Sequence, residues 1–244
     1  MLAAHGEWRQ AYRHLRSALD LLYTDGTSPT PQWGIPEQLR REVDRLRRAH
    51  AEVQELSIRD SLTASYNRRY LDQRLTHLFA DPTYNTTGVA VALVDLDWFK
   101  KVNDRFGHLV GDRVLQRVVE LLQQGLPADA FCARYGGEEF VLALPGVDAQ
   151  RSVAITEAMR ERIERHAWST ITEGLRITVS IGLAHHRVAH PDEVSPIETE
   201  RQLLRADSLL YTAKQSGRNS VAYVGQSGRP RLAGAAANRR MVAE

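Results

Sequence analysis

Two acidic residues end a strongly apolar stretch of the sequence. Residues 89–94 are all apolar, and Asp95 and Asp97 follow them closely. A carboxylate at the end of a buried strand is costly unless a positive group meets it. Mg²⁺ suits such a position, because it accepts one or two carboxylates and completes its shell with water and phosphate oxygens. An equally good interpretation is that Asp95 caps the following turn, which is a common role for Asp.

A second acidic pair follows two glycines. Gly136 and Gly137 lie between two β-prone segments, which is typical of a tight hairpin turn with positive φ angles. Glu138 and Glu139 then begin the outgoing strand. Because successive strand residues point to opposite faces, we expect one glutamate to face Asp95 and the other to point away. A solvated hairpin tip explains one glutamate well, but it explains the whole run RYGGEEF poorly.

The segments around these residues alternate between strand and helix patterns. Hydrophobic spacing predicts strands over 89–95, 131–134, 140–144, 176–184 and 220–224. It predicts helices over 68–79, 111–123, 149–166 and 199–216. A hairpin combined with crossover helices indicates an α+β fold with a central, mostly antiparallel sheet and surrounding helices, preceded by N-terminal helices.

The first 36 residues carry a helical pattern and then a loop. The run GEWRQAYRHLRSALDL resembles a helix of a tetratricopeptide repeat, and an ordinary amphipathic helix explains it equally well. Residues 25–36 contain three prolines and two glycines, which is typical of a linker. We expect residues 1–36 to be the end of an upstream helical region, and the chain to be part of a longer protein with a sensory region.

Residues 37–58 form a second predicted helix. Leu39, Val43, Leu46 and Val53 follow a heptad spacing that polar His50 interrupts, which favours a signalling helix that pairs two copies of the chain. The alternative is an Arg-rich helix that lies on the domain body.

The main domain is expected to span residues 59–224, followed by a tail. Residues 225–244 are rich in Gly, Ala and Arg without periodicity, which predicts a disordered segment.

Composition excludes several functions. Lys plus Arg total 32 against 30 for Asp plus Glu, a net charge of +2 that does not favour a nucleic-acid partner. The single cysteine, Cys132, excludes an intrachain disulfide and fits a reducing, cytoplasmic setting. No apolar run is long enough to cross a bilayer, so we expect no membrane span in this chain.

Four blocks of the main domain resemble the GGDEF family of diguanylate cyclases. The run YGGEEF at 135–140 resembles the family signature in its GGEEF form. The other three blocks occur in the family's order. The first is DSLT at 60–63 with NRR at 67–69, and the second is DLDWFKKVND at 95–104 with GH at 107–108 and GD at 111–112. The third is AD at 206–207 with Tyr211, Lys214 and GRN at 217–219. The resemblance covers residues 58–224 and implies a palm-like nucleotidyl-cyclase fold.

The resemblance also implies a reaction and a metal. Family members join two GTP molecules into cyclic di-GMP and release two pyrophosphates, as homodimers in which each half-site holds one GTP. Asp95, Glu138 and the carbonyl of Leu96 match the family's binding site for Mg²⁺, for which Mn²⁺ is a possible substitute. Glu138, Glu139 and Lys100 match catalytic positions.

Further matched positions contact the nucleotide. Asn103 and Asp112 match the residues that read guanine, and an ionised Asp suits the N1–H and exocyclic amine that adenine lacks in that arrangement. The residues matched to phosphate binding are the turn around Trp98 and Phe99 and the cations Lys100, Lys214 and Arg218. The spacing of Lys214 and Arg218, i and i+4 at a helix end, would let both reach a triphosphate. On spacing alone, a solvated C-terminal cap explains them better.

Two departures from the family pattern stand out. Ala64 occupies a position where members usually carry glycine, so we expect backbone strain there. Pro127 and Ala130 replace the Arg and Asp of the family's product-inhibition site, so that site is predicted to be absent. Arg151 and Arg160 are the alternative sources of a substitute product site.

Two other functions compete with catalysis by this chain. One is a catalytically weak or inactive module that binds GTP or cyclic di-GMP for regulation. Degenerate modules of that kind lose the carboxylates or the glycines, and this sequence keeps both. The other is a nucleotidyl cyclase acting on ATP, against which Asn103 and Asp112 argue.

Overall fold

The computed structural model describes residues 58–186 and 196–238, and it places Arg41 and Arg45 in helical conformation. The chain divides into two compact units, Met1–Glu52 and Val53–Glu244. The tetratricopeptide-like run, the linker and the heptad positions lie outside the described residues, so the interpretations placed on them stay predictions.

Seven strands form one sheet in the described part of the chain. They are β1 (Tyr66–Asn67), β2 (Val89–Leu96), β3 (Phe131–Gly136), β4 (Glu139–Pro145), β5 (Val179–His186), β6 (Val221–Val224) and β7 (Pro230–Leu232). Five α-helices accompany them: α1 (Arg68–Ala80), α2 (Phe99–Phe106), α3 (His108–Gln123), α4 (Ala149–Arg165) and α5 (Pro196–Gln215).

The sheet order is β1-β3-β4-β2-β5-β6-β7. The pairs β3–β4, β4–β2, β2–β5 and β6–β7 are antiparallel, whereas β1–β3 and β5–β6 are parallel. The sheet is therefore mixed and mostly antiparallel, with helices around it, and the predicted α+β class is confirmed.

Strand β2 lies at the centre of the sheet and is buried on both faces. Ala90, Ala92 and Val94 belong to the core under α2, α3 and α4, whereas Val91 and Leu93 belong to the core under α1 and α5. An unbroken apolar run is the pattern expected of a strand that is covered on both sides. This burial fixes where the strand ends and therefore where Asp95 emerges.

A close contact sets helix α5 against strand β5. A Cβ on Gly182 would lie 2.0 Å from the carbonyl oxygen of Ala206 and 2.2 Å from the backbone nitrogen of Leu210. Only glycine allows this approach, and the packing fixes the helix that carries Lys214 near its C-terminal end.

The prediction of a disordered tail from residue 225 is wrong for residues 225–238. Strand β7 pairs with β6, and a short 3₁₀ turn follows at Gly234–Ala236. Leu232, Ala233 and Ala236 are buried although the segment lacks periodicity. A three-residue edge strand is too short to show a period, and its apolar residues pack on α5 and β6.

Like strand β1, helix α2 is absent from the elements that the hydrophobic pattern predicts. It is only eight residues long, and Gly107, with φ 85°, separates it from α3.

Among the described residues, no helix is both long and apolar enough to cross a membrane.

Candidate active site

The site forms where β2 ends beside the β3–β4 hairpin. Asp95 pairs in register with Glu139 of β4 and with Ser180 of β5. Directly opposed residues of neighbouring strands place their side chains on the same face. The Asp95 carboxylate therefore lies on the same side of the sheet as that of Glu139, and the Nζ of Lys214 lies 2.8 Å from its Oδ2.

The carboxylates of this site hold their protons more tightly than usual. Burial raises the pKa of Asp95, against the hydrogen bond and charge of Lys214. Burial and then the charge of Asp95 raise the pKa of both Glu138 and Glu139. Mutual repulsion between neighbouring carboxylates is relieved when a cation binds among them.

The hairpin differs from the predicted tight turn. Gly137 has a φ of 51°, but Gly136 belongs to β3 and does not have a positive φ, and the register shifts between Arg134 and Gly136. Glu138 consequently lies in the turn, ahead of β4. Strand alternation does not apply to a turn residue, so the expectation that one glutamate points away loses its basis. Burial and the charge of Asp95 raise the pKa of both glutamates.

The donor set fits a magnesium-like ion that shares its shell with a nucleotide. No group of three or more His, Cys, Asp or Glu in the described part of the chain is placed to hold a metal alone. Mg²⁺ needs only one or two carboxylates when phosphates and water complete its shell. Asp95 and Glu138 are the candidate ligands, and the Lys214 ammonium lies 2.8 Å from the Oδ2 of Asp95. The backbone N–H of Leu96 donates to the Glu138 carbonyl at 3.4 Å, which joins the two segments.

Asp97, the second acidic residue after the apolar run, is held by the protein itself. It is 5% exposed, and its Oδ1 accepts a hydrogen bond from the Ser180 hydroxyl at 2.7 Å. Its Oδ2 accepts from the Thr178 hydroxyl at 2.7 Å and from the backbone N–H of Asn219 at 3.0 Å. Both oxygens are engaged by the protein, so Asp97 is a structural carboxylate.

Two cations flank the carboxylates, although not as a helical pair. Helix α5 ends at Gln215, so Arg218 lies beyond it in a turn with a φ of 60°. The interpretation of Lys214 and Arg218 as i, i+4 helix neighbours is therefore wrong. Lys214 nevertheless bonds Asp95, and the charge of Arg218 opposes part of the rise that burial causes in the pKa of Asp95.

The β2–α2 turn presents a helix N-terminus beside the carboxylates. Trp98 precedes α2 with a φ of 61°, and its carbonyl accepts from the backbone N–H of Lys101 at 2.8 Å. Phe99 is buried, whereas Lys100 is exposed in the first turn of the helix. The first backbone N–H groups of a helix lack partners inside it and favour anions. Phosphate binding by this turn stays a prediction.

Asn103 and Gly111 form a second corner of the site. The Oδ1 of Asn103 is buried and has no hydrogen-bond partner among the described residues. A Cβ on Gly111 would lie 2.0 Å from that oxygen, so only glycine leaves room for the amide. Asp112, the next residue, is half-buried in the first turns of α3. A buried polar atom without a partner is the kind of group that a ligand satisfies.

Arg134 and Asp60 hold the signature turn, and the sequence reasoning did not identify them as a pair. The Nε and Nη2 of Arg134 donate to the carbonyl of Gly137 at 3.0 and 2.7 Å. Its Nη1 donates to Asp60 Oδ1 at 3.1 Å. Asp60 also accepts from the backbone N–H of Thr63 at 2.9 Å. Asp60 lies within one recognised block and Arg134 directly precedes another, but only the fold reveals that the two blocks meet.

The strain expected at Ala64 is present. Its φ is 56°, a left-handed conformation that a residue with a Cβ seldom adopts, and its N–H donates to the Asp60 carbonyl at 2.9 Å. The turn around Asp60 keeps its shape without glycine.

Comparison with known proteins agrees with this geometry. A family model described as diguanylate cyclase, GGDEF domain, matches residues 57–220. The response regulator PleD of Caulobacter vibrioides is 36% identical over 187 residues, which are 75% of this chain and 40% of PleD. The probable diguanylate cyclase DgcT of Escherichia coli is 38% identical over 165 residues, 67% of this chain and 35% of DgcT.

Solved structures show the same fold. The coiled coil and GGDEF domain of DgcB from Caulobacter crescentus, in complex with c-di-GMP, has a TM-score of 0.67 at 31% identity and covers 76% of this chain and 95% of that structure. Diguanylate cyclase SiaD of Pseudomonas aeruginosa, in complex with its activator SiaC, has a TM-score of 0.63 at 30% identity, over 91% of this chain and 78% of SiaD.

The fold and the site therefore define a nucleotidyltransferase-type α+β domain of the diguanylate cyclase class. The chain belongs to the diguanylate cyclase GGDEF domain family. It spans 40% of PleD and 35% of DgcT, so the family assignment concerns this domain and not the whole of those relatives.

Proposed function

We propose that this chain is an active diguanylate cyclase domain that condenses two GTP molecules into cyclic di-GMP and releases two pyrophosphates. One observation carries the proposal. At the end of β2, the Asp95 carboxylate lies in register with Glu139, and the Lys214 ammonium lies 2.8 Å from its Oδ2. Burial and the charge of Asp95 raise the pKa of Glu138 and of Glu139. Separate segments supply these groups, which supports a site with metal-binding carboxylates and a phosphate-binding cation.

The reaction needs positioning and charge neutralisation. The 3′-hydroxyl of one GTP must attack the α-phosphorus of the other in line with the departing pyrophosphate. Lys214 and Arg218 counter the charge of the triphosphate, Lys100 adds a cation, and the N-terminus of α2 receives a phosphate oxygen. Glu139, with a raised pKa, is suited to accept the proton of the attacking hydroxyl.

A divalent cation completes this chemistry. Asp95, Glu138 and the carbonyl of Leu96 would hold Mg²⁺, with Mn²⁺ as a substitute. When bound, the ion neutralises phosphate charge and polarises phosphate oxygens.

Guanine recognition falls to α2 and α3. The buried, unpartnered Oδ1 of Asn103 supplies an acceptor, and the Asp112 carboxylate supplies another. Guanine offers the N1–H and exocyclic amine donors that two acceptors require, and adenine does not offer them in that arrangement. The substrate is therefore GTP and not ATP.

A homodimer is the assembly that this chemistry requires. One domain holds one GTP, so two domains must face each other to join two nucleotides. We assign this pairing to the helix predicted at residues 37–58, which places control in the region upstream of it. The DgcB structure contains a coiled coil with its GGDEF domain, which supports the same arrangement here. GTP is a cytoplasmic substrate, and the domain is expected to act there.

Product inhibition through the family's usual site is expected to be weak. The Pro127 carbonyl accepts the backbone N–H of Ala130 at 3.2 Å in a tight turn that offers neither a guanidinium nor a carboxylate. Arg160 does not replace the missing arginine, because it is 4% exposed and already pairs with Glu157 and Glu164.

The alternative, a regulatory module that binds nucleotide without turnover, is less well supported. Such a module has no need for a carboxylate cluster whose members repel one another, and this site keeps that cluster intact.

Product analysis tests the proposal. The purified chain is incubated with GTP and Mg²⁺, and the nucleotides are separated by chromatography. We expect cyclic di-GMP and pyrophosphate from GTP, no cyclic product from ATP, and no product when a chelator removes the metal. Tight GTP binding without any cyclic di-GMP at high protein concentration would favour the regulatory module.

A further inference from the structure

Two turns from distant parts of the sequence contact each other at two points beside the site. The guanidinium carbon of Arg218 lies 3.9 Å from the centroid of the Trp98 ring. The chain neighbours of these two residues are also in contact, because the Asp97 carboxylate accepts a hydrogen bond from the backbone N–H of Asn219 at 3.0 Å. Two consecutive residues of the β2–α2 turn therefore hold two consecutive residues of the α5–β6 loop.

Both turns are held in backbone conformations that ordinary residues seldom adopt. Trp98 has a φ of 61°, Arg218 a φ of 60° and Asn219 a φ of 45°. Residues with a Cβ stay in this region only when their surroundings hold them, and such residues gather at functional sites.

The inner contact is rigid. Hydroxyl groups of Thr178 and Ser180 donate to Asp97, each at 2.7 Å, so the carboxylate is fixed before it receives the Asn219 N–H. The Asn219 side chain is held from α4 as well. Its Oδ1 accepts from Arg160 Nη1 and its Nδ2 donates to Glu164 Oε1, each at 2.7 Å. The backbone next to Arg218 therefore has little freedom to move.

The outer contact is built on an exposed tryptophan. Trp98 is 52% exposed, so its ring contributes little to the core and is available to cationic groups. Arg218 and Lys101, whose Nζ lies 3.8 Å from the ring centroid, both lie over it. A cation over an indole ring is attracted by the electron density of the ring face.

We propose that Asp97 and Trp98 are positioning residues that clamp Arg218 toward the phosphates of the bound nucleotide. Asp97 fixes the backbone of the loop through Asn219, and the Trp98 ring fixes the direction of the guanidinium. The inference rests on the proposed function, since it assumes that Arg218 binds GTP phosphate. Arg218 reaches the phosphate-binding turn, because its guanidinium lies over the ring of Trp98, the residue that precedes α2.

Steady-state kinetics with a double-mutant cycle test the outer contact. Trp98→Ala is expected to raise the KM for GTP about three- to tenfold, because the cation–ring attraction that orients Arg218 is lost. The kcat should change less than about twofold, and Trp98→Phe should restore most of the affinity. If Trp98 acts through Arg218, Trp98→Ala combined with Arg218→Ala should be no worse than Arg218→Ala alone. Additive losses, or an unchanged KM in Trp98→Ala, would overturn the clamp.

Hydrogen exchange tests the inner contact without any turnover. In the nucleotide-free protein, Asp97→Asn should speed exchange of the Asn219 amide by about tenfold or more, because its acceptor is weakened. Thr178→Val, which removes one donor to Asp97, should give a smaller change in the same direction. Leu204→Ala, an exposed position on α5, is the control and should leave this amide unaffected. Unchanged exchange in both Asp97→Asn and Thr178→Val would contradict the role of Asp97.

Calorimetric titration of the wild type with GTP and Mg²⁺ separates the two possible failures. A wild type that neither binds GTP nor makes cyclic di-GMP would refute the proposed function, and the clamp's role with it. A wild type that does both, with a Trp98→Ala variant of equal KM, would refute the clamp alone.

Discussion

At the scale of single residues, the guanine corner depends on the absence of one side chain. Asn103 keeps its buried amide because Gly111 leaves room for it. A methyl group there would displace the amide, since Asn103 can rotate away more easily than the helix backbone can move. The position therefore offers a way to remove a proposed substrate contact without touching the residue that makes it.

Gly111→Ala is expected to raise the KM for GTP about tenfold, the effect of losing one hydrogen bond to a buried acceptor. The fold should not weaken, because alanine is a better helix former than glycine by about 1 kcal/mol. Initial rates over a range of GTP concentrations and a urea titration measure the two effects. Arg113→Ala, at an exposed position of the same helix, is the control. An unchanged KM would remove Asn103 from the substrate site.

The sequence predicts the acidic and cationic residues of the site, but it does not predict which role each of them has. Asp95 and Glu138 follow from the end of an apolar strand and from a paired glycine turn. Asp97 has the same residue type and neighbourhood as Asp95, yet its oxygens are taken by Thr178, Ser180 and a backbone amide far along the chain. A local pattern cannot distinguish two carboxylates whose roles are decided by distant partners.

At the scale of elements, the β3–β4 turn is tied to the segment that precedes β1. Arg134 joins the Gly137 carbonyl to the Asp60 carboxylate, and Glu138 follows directly. This tether, one guanidinium, links the segment around Asp60 to the turn that carries Glu138.

Arg134→Lys is expected to lower kcat about tenfold and to reduce the free energy of unfolding by about 1 kcal/mol, since lysine keeps the charge but cannot bond both partners at once. The stability effect is modest because the Arg134 and Asp60 side chains are 17% and 21% exposed. GTP turnover measures the change in kcat, and urea unfolding measures the change in the free energy of unfolding. Arg165→Ala, which removes an ion pair from a side chain that is 76% exposed, should change neither. Equal behaviour of the two variants would exclude the tether.

Strand β7 allows a test of whether the folded domain extends beyond residue 224. Leu232 is 4% exposed, so Leu232→Ala should reduce the free energy of unfolding by about 2–3 kcal/mol. Val224→Ala, at a position that is 53% exposed, should stay within about 0.5 kcal/mol of the wild type. Urea titrations compare the two variants. A Leu232→Ala variant as stable as the control would show that β7 is not part of the folded domain.

Long, strongly patterned elements are the part of the fold that the sequence predicts well. The apolar run of β2 and the helical spacing of α3 and α4 place those elements within a few residues. Strands β1 and β7 have two and three residues, too few for any period to show, and only pairing with β3 and β6 defines them. Helix α2 is only eight residues long, so its sequence shows a motif more clearly than a period.

At the scale of the whole molecule, the proposed catalysis by half-sites would make activity depend on assembly. Specific activity should rise with protein concentration until the dimer is saturated. Replacing Val43 and Leu46 by glutamate should lower activity and shift the chain toward monomer, because charge enters the predicted heptad seam. Arg45→Ala, outside that seam, is the control. Light scattering and rates over a dilution series provide the measurement, and constant activity per molecule would contradict the dimer helix.

The central claim is that Asp95 and Glu138 form the centre of a site that makes cyclic di-GMP. Its most direct test compares product formation from GTP and Mg²⁺ by the wild type and by the isosteric variants Asp95→Asn and Glu138→Gln. We predict cyclic di-GMP from the wild type and a loss of at least about a hundredfold in each variant. Melting temperatures should not fall, since each change removes a repelling charge, and Asp72→Asn, an exposed carboxylate on α1, should keep full activity. Wild-type rates in either Asp95→Asn or Glu138→Gln would contradict the account.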